Sequence, residues 1–228
     1  MKAAVLHELG KAPRCEEFAE PIAGKDEAVV RVRSASLKAV DRQLAAGSHY
    51  ASARELPVVC GTDGVGDLED GTRVFFGGPR RPYGAMAERT VVPRAFCFPA
   101  PAGIDDDTVA ALPNPGVSAW LSLTQRAKLA PGETVLILDA TGVTGQLAVQ
   151  IAKLLGAKRV IGAGRTALTI LGTAGIPSRE VLVDAMQQVM ARAARRELRI
   201  ETERVPLADI ERVWQRQGQS GRRIVVVP

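Results

Sequence analysis

Residues 28–33 read Ala-Val-Val-Arg-Val-Arg, with apolar and charged residues alternating from Val30, and short segments of this kind, punctuated by glycine and proline, continue to Pro101. Period-two patterning with turn residues between the runs predicts a β-rich region. The pattern changes after Pro131. A continuous apolar run from Val135 to Leu138 leads into Gly142 and Gly145, after which Leu147, Ile151, Leu154 and Leu155 recur at helical spacing, and a second short run follows from Arg159. Strand, glycine turn, helix and strand in that order form the opening unit of a parallel α/β sheet. Farther on, Pro177 and Ser178 precede Arg179, Glu180 and the apolar positions Val181, Leu182, Ala185, Met186 and Val189. This predicts a capped amphipathic helix whose methionine belongs to the core. Ile224 to Val227 reads as a final buried strand closing the first region, and no internal repeat or low-complexity tract is present.

The glycine turn carries candidate chemistry. At Gly142 and Gly145 the missing Cβ atoms let backbone N–H groups approach a pyrophosphate at a helix N-terminus, with Thr141 and Val143 as neighbouring contacts. The match to G-x-G-x-x-G is partial, because Ala140 stands at the first glycine position. Asp139 is discordant: a carboxylate beside a pyrophosphate costs affinity if it points inward, whereas at the strand end it can face solvent or cap the helix. The second run ends in Gly164 and Arg165, where an NAD-specific fold places an acid on the ribose 2′-hydroxyl. A glycine and a guanidinium there favour a 2′-phosphate and hence NADPH, the other reading being a solvated surface arginine.

Residues 58–66, 84–91, 111–120, 131–137 and 205–214 carry motifs in the order found in medium-chain dehydrogenase/reductases, and the chain resembles their zinc-free quinone oxidoreductase branch. The resemblance implies an α/β fold with a β-rich part. A GroES-like substrate domain would comprise residues 1–125 and 198–228, and a Rossmann-type nucleotide-binding domain, truncated here, residues 126–197. It further implies hydride transfer from NADPH to a quinone or α,β-unsaturated carbonyl. Tyr50 matches a tyrosine that many zinc-free relatives carry beside the substrate, where it donates a hydrogen bond or proton; the other reading is a loop tyrosine packing its ring. Asn114 and Ser118, around Pro115 and Gly116, resemble the family's bend at the domain cleft facing the nicotinamide, although Pro115 and Gly116 also suit a plain turn. Zinc-dependent relatives have a cysteine at the place of Lys38 and a His-Glu pair at Thr62 and Asp63. A lysine ammonium cannot ligate a metal, so no metal is expected. Lys38 itself reads as a solvated charge in preference to a group polarising a carbonyl.

Length then becomes an argument. The chain has 228 residues, and at about 30 residues per strand-helix unit roughly ninety are missing after Arg165 relative to the family pattern. No crossover fits between Arg165 and Leu168, so a strand at 168–171 beside the second run must be antiparallel to it. A remnant sheet of about three strands leaves an apolar face and an edge uncovered, which favours a homodimer. Two functional classes stay open: an NADPH-dependent reductase, and a catalytically inactive remnant that serves as a folded binding or dimerisation module.

Composition adds exclusions. Hydrophobic residues make up 46% and mean hydropathy is +0.03, enough for a core, while no apolar run approaches the roughly 20 residues of a membrane span. With no export signal at the N-terminus, the chain reads as cytoplasmic. The net charge of +5 raises nucleic-acid binding, but aromatics are only 4% and glutamates interrupt the arginines near residue 195, so no nucleic-acid role is expected. Cys15, Cys60 and Cys97 lack a C-x-x-C pair, and His7 and His49 lack a spacing partner, which leaves reduced thiols and surface or strand histidines.

Overall fold

The computed structural model describes residues 1–164, 177–216 and 221–228. The chain begins with β1 (Lys2–Leu6), β2 (Arg14–Glu17) and the long β3 (Glu27–Leu37), followed by the short helix α1 (Ala39–Ala45). Strands β4 (Val58–Val59), β5 (Asp63–Asp67), β6 (Arg73–Gly77), β7 (Arg89–Pro93) and β8 (Cys97–Pro99) complete the β-rich region. Helices α2 (Asp106–Ala111) and α3 (Pro113–Leu121) lead to β9 (Thr134–Ile137), α4 (Val143–Leu154) and β10 (Arg159–Gly162). After the undescribed residues come α5 (Arg179–Ala194), β11 (Glu201–Pro206), α6 (Ile210–Trp214) and β12 (Arg222–Val227).

The segment read from Ala28 onward becomes β3, the spine of a mixed seven-stranded sheet. Its first half pairs antiparallel with β7, its middle with β5, and its last residues with β12. A bulge between Val32 and Ser34 shifts the register where the strand passes from one partner to the other. β12 also pairs in parallel with β11, so the C-terminal chain returns to the first region as its apolar run predicts. β1 pairs with β2 and β4 in a separate three-stranded sheet. Leu6, Val30, Phe76, Met86, Ile210 and Val226 fill the core between these layers.

A second core gathers α2 to α5 against β9 and one face of the seven-stranded sheet, with Trp120, Leu147, Ile151, Val189, Leu198 and Val225 inside. The expected boundary at residue 125 falls in the π-helical turn (Ser122–Arg126) that continues α3. Asp105 starts α2, its side chain accepting from Thr108 N at 2.8 Å. Ser178 starts α5 by accepting from Val181 N, as the sequence predicts. Residues 113–116 open a helix instead of making a plain turn. Pro113 sits at its first position, where a missing N–H costs nothing, and a side chain at Gly116 would meet Val189 of α5.

β9 and β10 pair in parallel, with Val135 opposite Val160 and Leu136 opposite Ile161. Val135, Ile137 and Val160 turn toward the helical core. Leu136 and Ile161 point the other way and remain 58% and 39% exposed. Among the described residues this sheet has two strands. The expected antiparallel strand at 168–171 lies outside the described residues.

Candidate functional site

A cavity of about 230 Å³ opens in the β-rich region, lined by Leu6, Leu44, Ala45, Val58, Val59 and Cys60. Asp41 and Thr62 give it a polar end, and Arg81 and Tyr83 also line it. The polar end is built by α1. Asp41, three residues into the segment that starts at Lys38, turns its Oδ2 back to accept from Lys38 N at 2.8 Å. Its Oδ1 accepts from both the backbone N and the hydroxyl of Thr62, each at 3.1 Å. The Thr62 proton is therefore committed to Asp41, and the threonine shows the cavity a lone pair.

Beneath this lies the Lys38 side chain, only 2% exposed. Its Nζ donates to Asp63 Oδ1 at 2.8 Å and to Ser36 O at 3.0 Å, with Asp41 Oδ2 at 3.2 Å. The expectation of a solvated charge is corrected: Lys38 is a buried cation facing two buried carboxylates. Burial alone would lower its pKa, but Asp41 and Asp63 outweigh that and hold it above its ordinary value. Burial also pushes the Cys60 thiol well above its ordinary range, which keeps it protonated and inert as a nucleophile. Among the described residues no cluster of His, Cys, Asp and Glu is suited to hold a metal ion. The Lys38 and Asp41 pairing had a signal in the sequence, the i,i+3 spacing of a helix start, whereas Asp63 reaches the lysine only through the sheet.

Tyr50 lies outside this cavity. Its ring is 94% exposed and tilts against His49, with centroids 4.3 Å apart. It lines an adjoining open groove with Arg54, Glu55 and Pro57, and Ala51, Val58 and Arg81 are shared between groove and cavity. His7 is exposed and meets Glu16 at 2.9 Å.

The glycine turn joins β9 to α4 as the sequence predicts. Gly142 is the residue before the first helical turn and caps it with no side chain, so the leading amides of α4 have no carbonyl partner within the helix. Thr141, Gly142, Val143 and Gly145 are thus brought together at one helix N-terminus. Gln146 Nε2 donates to Thr141 O at 3.3 Å, and the same side chain abuts Gly221, so the chain before β12 passes beside the turn. Asn114 is exposed on α3, and its carbonyl accepts from the Ser118 hydroxyl at 3.0 Å. α3 packs against α4, but no contact joins Asn114 or Ser118 to the turn among the described hydrogen bonds. Arg165 lies outside the described residues.

The turn fits a dinucleotide in its amides and its glycine at 145, and misfits in one respect. Asp139 adopts a left-handed backbone, with φ of 55°. Its carboxylate lies over Gly142, where Oδ2 would be 2.6 Å from an added Cβ, and its carbonyl oxygen would be 2.0 Å from one at Gly145. The room that the glycines clear is filled by the chain itself. A phosphate brought to these amides would meet the negative charge of that carboxylate.

No family model matches the chain. Among curated proteins it is similar to a quinone oxidoreductase-like protein 2 homolog of Nematostella vectensis, 31% identical over 175 residues, which cover 72% of this chain and 47% of that protein. It is also similar to prostaglandin reductase-3 of Bos taurus, 34% identical over 140 residues, covering 58% of this chain and 36% of the relative. The chain spans less than half the length of these relatives. Among solved structures, the quinone oxidoreductase of Thermus thermophilus, crystallised also as a complex with NADPH, aligns over 100% of both chains. The TM-score is 0.79 and the identity 25%.

Proposed function

Since the chain is a quinone oxidoreductase-like member of the medium-chain dehydrogenase/reductase superfamily, we propose that it is an NADPH-dependent oxidoreductase acting on a quinone or an α,β-unsaturated carbonyl without a metal. The observation that carries this reading is the β9, glycine turn, α4, β10 unit, whose parallel pairing puts amides without an intrahelical partner at the start of α4. When bound, the cofactor supplies the hydride. Thr141, Gly142, Val143 and Gly145 would hold its phosphates, Arg165 would take the 2′-phosphate, and Asn114 and Ser118 would face the nicotinamide end.

The substrate's apolar body suits the cavity lined by Leu6, Leu44 and Val59. Its proton must come from a group with one to give. Thr62 donates to Asp41, Cys60 is sealed by burial, and the Tyr83 hydroxyl donates to Glu20 O at 3.1 Å, which leaves the exposed phenol of Tyr50, at the groove beside the cavity, as the acid. Loss of NADPH absorbance with a small quinone or enone tests the assignment, and no turnover with either would remove it.

A second reading is favoured by the short sheet. Two described strands with Leu136 and Ile161 exposed supply little floor beneath a nicotinamide, and adenosine contacts alone do not hold a hydride donor at the near-attack distance of about 3 to 3.5 Å. In that case the protein is a non-catalytic module that dimerises through the uncovered face. Restoring roughly ninety residues of strand-helix units after Arg165 separates the two: activity gained only on restoration favours the module.

A further inference from the structure

Asp139 stands where the glycines of the turn make room for a ligand. The last core residue of β9 is Ile137, and the chain turns over residues 138–141 before α4 starts at Val143. The left-handed backbone at Asp139 folds its side chain back over Gly142, with Oδ2, Cγ and Oδ1 at 2.6, 3.1 and 3.2 Å from the position of an added Cβ. A side chain on residue 142 would meet the Asp139 carboxylate in this arrangement. The turn's own shape is fixed separately, by Gly142 N donating to the Asp139 carbonyl at 3.0 Å. The carboxylate can therefore change without the turn changing.

A negative group at a helix N-terminus is favourably placed, and a second, more highly charged anion brought to the same amides must displace it or be repelled by it. We propose that Asp139 is a specificity-determining residue that holds the turn in a self-occupied state and weakens its affinity for the pyrophosphate of a dinucleotide. The proposal rests on the reading of this turn as the cofactor site. It assigns Gly142 a double use, space for an internal anion when empty and for an external one when bound, while the missing side chain at Gly145 serves the close approach of the Asp139 carbonyl.

The test is titration calorimetry of NADPH against the full chain, D139N and D139G. Asparagine keeps the side chain's size and its tolerance of the left-handed backbone while removing the charge, and glycine removes both. Both variants are expected to bind NADPH about tenfold or more tightly than the wild type, and the gap should shrink at high salt because it is a charge effect. Equal affinities in all three proteins would overturn the role of Asp139 and leave the cofactor site standing. Tighter binding by D139G alone would overturn it too, by showing that room and not charge limits the turn. No binding by any of the three would overturn the cofactor reading and this inference together. Should D139G fail to fold, judged by its thermal melt, D139N decides the question.

Discussion

The Lys38 ammonium sits 2.8 Å from Asp63 and 3.2 Å from Asp41, so one buried cation answers two buried carboxylates. By the resemblance read from the sequence, zinc-dependent relatives would carry a cysteine in place of Lys38. Here a covalently attached positive charge lies among the acids, and through Asp41 it fixes how Thr62 faces the cavity.

Removing that cation should be costly. Lys38→Met removes the cation bonded to two buried carboxylates and leaves them only the longer-range charge of Arg223, and a loss of about 3 to 5 kcal/mol is expected, the scale for breaking a buried ion pair. Urea unfolding at neutral pH measures it. The deficit should narrow as pH falls into the carboxylate range, because a protonated acid no longer needs the lysine. A loss below about 1 kcal/mol, the level of an exposed pair, would contradict the burial described.

Alkaline pH should destabilise the protein in a definite window. The Cys60 thiol is held far above its ordinary value of 9.0 by burial, and Lys38 is held above its ordinary 10.5 by its carboxylates. In each case the folded state keeps a proton that the unfolded chain releases. Their contributions are therefore complete below about pH 9 and are lost as pH rises beyond the unfolded values. Thermal unfolding followed from pH 7 upward should show stability falling from about pH 9, with a shallower fall in Cys60→Ala, where burial still raises the Cys97 and Cys15 thiols. A midpoint that does not change up to about pH 11 would count against both burials.

Cofactor choice is expected to follow Arg165. NADPH should bind more tightly than NADH, and Arg165→Ala should reduce that preference by about 1 to 3 kcal/mol, as loss of a charge-assisted contact does. Calorimetry giving the same affinity for the two cofactors in the wild type removes the 2′-phosphate assignment.

The phenol of Tyr50 is the remaining candidate acid. Tyr50→Phe should lower kcat by up to about 10² to 10⁴, the range of general acid catalysis, with little change in KM. A variant as active as the wild type would return Tyr50 to the role of a surface ring resting on His49.

Local signals in the sequence proved readable where the structure they specify is also local. The apolar run at 135–138 and the helical spacing after Gly145 became β9 and α4, and Ser178 caps α5 at the residue its chemistry indicates. Residues 28–33 became part of β3 because alternation matches the pleat. The burial of Lys38 was not legible in this way. Asp63 is 25 residues away in sequence and meets the lysine only because β3 and β5 pair, with Ala35 opposite Gly64. The pull of composition was toward the wrong answer, since an unpaired lysine belongs in water. Asn114 to Ser118 were ambiguous for another reason: proline and glycine serve a turn or a first helical turn equally, and contact with Val189 on α5 settles it. For Asp139 the sequence posed inward or outward as alternatives, and only the sign of one backbone angle distinguishes them.

The exposed pair of Leu136 and Ile161 bears on how long the protein lasts. A greasy stripe on a short sheet is the kind of feature that chaperones hold and proteases follow, and self-association competes with both as concentration rises. Half-exposed apolar side chains on adjacent strands thus tie the protein's persistence to its concentration.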